Sequence, residues 1–104
     1  MSIEVVRIYN QKDAFSIWIE GDKAFSENKF LKIIAPLGVI KSERVFACLG
    51  PAQHIDEIHT NSGVFNLSQE FDEFAGVTVY SDNAVLMNLI FSAMLESHEY
   101  HERE

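Results

Sequence analysis

The clearest pattern of apolar and polar positions runs from Gly76 to His98. Val77 and Val79 alternate with Thr78 and Tyr80, which predicts a short strand with two unlike faces. Ser81 or Asp82 then offers a short side-chain oxygen to cap free backbone N–H groups, and a helix is expected to run to about Ser97. Inside it Asn88, Ser92 and Glu96 fall at i, i+4, i+8 and make one polar stripe. The remaining positions are apolar, so most of the circumference is expected under protein, with Leu86, Leu89, Ile90, Ala93 and Met94 in the core.

Upstream the pattern is mostly strand-like. Ile3 to Tyr9 is rich in β-branched residues, and Asn10 to Asp13 reads as a turn. Phe15, Ile17 and Ile19 alternate with Ser16, Trp18 and Glu20, a strand buried on one face with Trp18 on the other. Ser26 to Ala35 reads as a helix capped by Ser26 and stopped by Pro36, with Phe30, Leu31, Ile33 and Ile34 apolar and Lys29 and Lys32 exposed. Glu43 to Leu49 is expected to be a central strand because Val45 to Leu49 is apolar throughout. Gln53 to Thr60 is ambiguous, since Ile55 and Ile58 also fit a helical turn; Val64 to Leu67 is a further strand. Ser68 to Ala75 either extends that strand or forms a helical turn.

Strands followed by a closing apolar helix argue for an α+β fold: a mainly antiparallel sheet with a long apolar C-terminal helix packed on one face. The 104 residues suit a single globular domain over 1–104. Glycines at 38, 50, 63 and 76 recur every 12 or 13 residues without a shared pattern between them, so they mark turns and not a repeat.

Charge changes the picture more than composition does. Residues 1–44 hold seven basic and six acidic side chains, whereas the 58 residues 45–102 hold nine acids and no Lys or Arg. Those carboxylates must pair with the first half, stay solvated or meet a basic partner. The net charge of −8 disfavours nucleic acid and anionic membranes. No apolar run reaches the ~18 residues of a membrane span, and the start Met-Ser-Ile-Glu-Val-Val-Arg is not built like a signal peptide. The single Cys48, in an apolar run, cannot make an internal disulfide, which suggests the cytoplasm and a buried, idle thiol.

Candidate chemistry is sparse. His98-Glu-Tyr-His101 is one residue short of the His-Glu-x-x-His zinc helix, and a frayed, solvated tail is expected there. His54 and His59 flank Asp56 and Glu57, and whether these or the tail histidines converge on a site is open from sequence. Phosphate loops, Cys-x-x-Cys and Gly-x-Ser-x-Gly are absent, and adjacent acids such as Asp56-Glu57 and Asp72-Glu73 point apart. No enzyme activity and no cofactor is therefore expected. Glu70-Phe-Asp-Glu-Phe74 places carboxylates beside rings, a combination that suits a basic protein surface when the rings are not core.

Small size, acidic charge and missing catalytic motifs are typical of inhibitors of the bacterial immunity type, which neutralise basic nuclease toxins. The expected function is such a binding protein, monomeric or homodimeric. Asp56, Glu57, Glu70, Asp72 and Glu73 are expected on one connected partner-binding surface. The alternatives are an oligomeric structural or adaptor subunit, and an enzyme whose site is assembled from scattered His and carboxylates.

Overall fold

The computed structural model describes residues 3–9, 15–20, 26–47, 53–70 and 76–102. Within them the chain runs β1 (Ile3–Tyr9), β2 (Phe15–Glu20), α1 (Glu27–Ile34), a 3₁₀ turn (Ala35–Leu37), β3 (Val39–Ala47), β4 (Gln53–Thr60), β5 (Gly63–Glu70), β6 (Gly76–Tyr80), α2 (Ala84–Glu96) and β7 (Tyr100–Glu102). The seven strands form one sheet in the order β3-β4-β5-β6-β2-β1-β7. Every pairing is antiparallel except β1 with β7. The fold is thus α+β, as the pattern predicts.

Register defines two faces. Ile17 pairs with Val79, Val79 with Leu67, and Ile58 with Phe65, so these residues share one side. Phe30 of α1 meets Phe65 edge-on and Phe91 of α2 meets Phe15 edge-on, which places both helices on that side. Val5, Ile17, Ile19, Ile34, Leu67, Leu86, Ile90 and Met94 are completely buried there in one cluster. No described helix lies on the opposite face.

Local chemistry explains the helix ends. Ser26 Oγ accepts from Lys29 N at 3.3 Å, the cap the sequence suggests. Gly38, at φ +78°, turns the chain from the 3₁₀ turn into β3, a left-handed conformation that glycine adopts without steric cost. At α2 the cap is Asn83, one residue beyond the expected Ser81 or Asp82, with Oδ1 accepting from Leu86 N at 3.0 Å. Ser81 instead donates to Val64 O at 2.7 Å and accepts from Asn83 N, tying the helix entry to β5.

Three expectations are corrected and one open reading is decided. β3 is an edge strand and not central: a bulge between Arg44 and Phe46 leaves Val45 half exposed. Gln53–Thr60 is a strand, because Asn61-Ser62 closes a two-residue hairpin that pairs it along its length with β5. α2 is not covered all round, since Val85 is 70% and Leu89 39% exposed; Leu86, Met87, Ile90, Phe91 and Met94 face the core. The tail is not frayed. Ser97 Oγ accepts from Glu99 N, His98 takes φ +64°, and the chain reverses into β7 beside β1. Tyr100 is buried there, which pushes its phenol pKa up to about 12.

Arg7 locks that edge. It lies on the helix-covered side and makes a two-point ion pair with Glu102, Nε–Oε2 2.6 Å and Nη2–Oε1 3.2 Å. Its guanidinium also sits 4.7 Å from the centre of the Phe91 ring. A charged residue is thereby accommodated where the alternation of β1 calls for an apolar one.

Candidate functional site

β4 carries polar groups to both sides of the sheet. His54, Asp56, Ile58 and Thr60 face the helices; Ile55, Glu57 and His59 face away. Asp56 and Glu57, expected on one surface, are therefore separated by the sheet itself.

On the covered side Asp56 is 4% exposed and accepts from Arg44 Nε at 2.8 Å. Burial alone would push its carboxyl up, but hydrogen bonds from Arg44 and from Glu27 at the start of α1 hold it below the usual carboxylate range. Glu27 is raised, first by burial and then by the bond to Asp56, so the two carboxyls are pushed in opposite directions. His54, beside them, is lowered by burial and by the charge of Arg44. This cluster joins the N-terminus of α1 to the β3–β4 edge. It leaves Asp56 no solvated carboxylate to offer a partner.

On the open side Glu43 and Glu57 stand directly opposite each other on β3 and β4. His59 Nε2 lies 2.8 Å from Glu57 Oε1 and 3.5 Å from Glu43 Oε1, while Lys41 Nζ lies 3.7 Å from Glu43 Oε1. His54 and His59 thus point to opposite faces and share no site. Glu43, His59 and Glu57 are the His/Cys/Asp/Glu group among the described residues whose ligand atoms converge closely enough for one metal ion.

The same open face carries an apolar field. Val6 pairs with Trp18 and Trp18 with Thr78; Ile8 pairs with Ser16, Tyr80 with Asn66, and Val64 with His59. Ile8 is 53% exposed, Val64 is exposed, and Val6, Trp18 and Tyr80 are half-buried. Gly76 is buried against the Trp18 ring; a Cβ there would collide with the indole, so glycine leaves room for the ring against β6. Glu4, Glu43 and Glu57 stand on the same face.

Glu70 closes β5, its backbone paired with Gln53 and Gly76. Phe71, Asp72, Glu73, Phe74 and Cys48 lie outside the described residues. What sequence reasoning missed is the open-face field and the meeting of Glu43 with His59. The signal for the field was present: both alternate sets of Val5-Val6-Arg7-Ile8 contain apolar residues, the mark of a strand with two apolar faces. No local signal could bring Glu43 to His59, because that depends on strand register.

No family model matches the chain, no curated protein matches it, and no solved structure matches its fold. What the fold and site define is therefore a class only: an α+β domain with one face of its sheet helix-covered and the other not covered by any described helix. No described helix is long and apolar enough to cross a membrane.

Proposed function

We propose that this protein is a small binding protein of the inhibitor or immunity type, which acts by covering a basic protein such as a nuclease toxin domain. The observation that carries the reading is the open face: Val6, Ile8, Trp18, Val64 and Tyr80 on one side of the sheet, with Glu4, Glu43 and Glu57 on the same side. Several large apolar side chains gathered on one sheet face suit a surface that a partner covers. Trp and Tyr are the residue types that anchor protein interfaces, and a sheet backbone loses little freedom on binding. The net charge of −8 selects a basic partner and disfavours nucleic acid or an anionic membrane. The reading implies a cytoplasmic protein that binds and does not catalyse. Of the five carboxylates expected at the interface it keeps Glu57, leaves out Asp56, and adds Glu43.

Affinity capture at low and high salt tests it. A basic protein should be retained at low salt and weakened at high salt, and Glu43→Lys with Glu57→Lys should slow its association. Retention indifferent to both salt and charge reversal would contradict the reading. A second reading, an acid–base enzyme, draws on Glu27 and Asp56, whose pKa values are pushed apart. It requires an activity that Glu27→Gln abolishes while the melting temperature is kept.

A further inference from the structure

We infer that Glu43, Glu57 and His59 form a surface site for a divalent transition-metal ion of the zinc type. Three observations lead there. First, the donors are placed by sheet register and not by a loop: Glu43 and Glu57 are direct cross-strand partners, and His59 follows two residues along β4 on the same face. Second, the donors lie close to the spacing that one ion needs. Bonds of ~2.0–2.2 Å to nitrogen and oxygen in tetrahedral geometry put neighbouring donors ~3.3–3.6 Å apart. The imidazole Nε2 lies 3.5 Å from Glu43 Oε1 and 2.8 Å from Glu57 Oε1, and all three donor atoms fall within 4.8 Å of one another. To close the set around a common centre, the His59–Glu57 pair must open beyond its hydrogen-bond distance and the half-exposed Glu43 side chain must turn toward it. Third, two carboxylates facing each other across a ladder repel, so the register carries a cost that a cation offsets.

The donor types choose the ion. Two carboxylates alone favour hard ions such as calcium or magnesium, which want six or more oxygens. One imidazole beside two carboxylates suits zinc and its first-row neighbours. Three protein donors leave at least one position for water or for a side chain brought by a partner. Lys41 is the built-in competitor, its ammonium 3.7 Å from Glu43 Oε1, and the ion must displace it. The site does not depend on the binding reading above, although it stands at the margin of the same face.

Calorimetric titration of zinc into the untagged protein tests the assignment, together with the His59 ring resonances in NMR. One ion per chain should bind, the His59 ring signals should shift, and His59→Gln or Glu57→Gln should weaken the affinity at least about tenfold. Lys41→Gln should strengthen it, and His98→Asn, in the turn before β7, should leave it unchanged. Melting curves establish that each variant is folded, and the exposed Glu43→Gln carries the same test if His59→Gln is not. Absence of binding, unchanged affinity in the folded His59→Gln or Glu43→Gln protein, or a loss in His98→Asn equal to that in His59→Gln would each overturn the site.

Discussion

The two faces of the sheet are built from the same strands and obey different rules. On the covered face the buried charges are tied into the protein: Arg7 has Glu102 and the Phe91 ring, while Asp56 has Arg44 and Glu27. On the open face Ile8 and Val64 are left to solvent beside Glu57 and His59. β4 shows the contrast within a single strand, since Asp56 is nearly inaccessible and its neighbour Glu57 is half-exposed. The lesson is that an acidic residue in this chain says nothing about a partner until its face is known. On the covered side carboxylates hold structure together; on the open side Glu43 and Glu57 stand at the surface beside Lys41 and His59.

Changes on the two faces should therefore separate stability from binding. The largest stability effect is expected for Leu67→Ala. It removes a completely buried side chain opposite Val79 and should cost ~2–5 kcal/mol in denaturant unfolding, with the surviving folded fraction still binding. Asp56→Ala should come next, at roughly 1.5–3 kcal/mol near neutral pH, because it strips a buried charged acceptor from its donors. Its pH dependence has a definite sign. A carboxyl lowered in the folded state stabilises fully above its unfolded pKa of about 3.9 and loses that contribution as pH falls through the folded value. The gap between wild type and Asp56→Ala should thus narrow below about pH 4. Glu27, raised in the folded state, carries the opposite sign. Its contribution is present at low pH and lost as pH rises, so Glu27→Gln should melt no lower than wild type at neutral pH.

Arg7→Ala should cost roughly 1–2 kcal/mol, through the loss of one two-point ion pair and one cation–ring contact. It should also speed amide exchange in β7, which hangs on β1 and that pair. The smallest effect is expected for Leu89→Ala, at no more than about 1 kcal/mol, since its side chain is 39% exposed beside a groove of about 450 Å³ between the helices. A cost above 2 kcal/mol would mean that α2 is covered in solution after all.

Much of the fold was legible in the sequence. Strict alternation in Phe15–Glu20 and Gly76–Tyr80 placed β2 and β6, and Ser26 with Pro36 bracketed α1, because these signals are local. The misreadings have non-local causes. Val45 to Leu49 looked like a central strand, yet an edge strand can carry the same apolar residues with a bulge turning one to solvent. Gln53–Thr60 stayed open between strand and helical turn, because only the Asn61-Ser62 hairpin, which puts Ile55 and Ile58 on opposite faces, decides it. The tail looked frayed because nothing within Glu99 to Glu102 shows that Arg7, 95 residues away, holds Glu102. The candidate site was legible only in part. Glu57 was visible as an acid and Trp18 as an outward aromatic, but the field around Trp18 and the pairing of Glu43 with His59 exist only through register.

The central claim is that the open face does the binding, and a pair of substitutions on opposite sides of the molecule tests it most directly. Trp18→Ala removes the aromatic centre of the open face; Val85→Ala removes an exposed apolar side chain of α2 on the covered side. The dissociation constant of the captured basic partner should rise at least about thirtyfold with Trp18→Ala, equivalent to a hot-spot loss of ~2 kcal/mol or more. It should be unchanged with Val85→Ala. Unchanged affinity in a folded Trp18→Ala protein, together with weakened affinity in Val85→Ala, would place the binding surface on the helices and contradict the account.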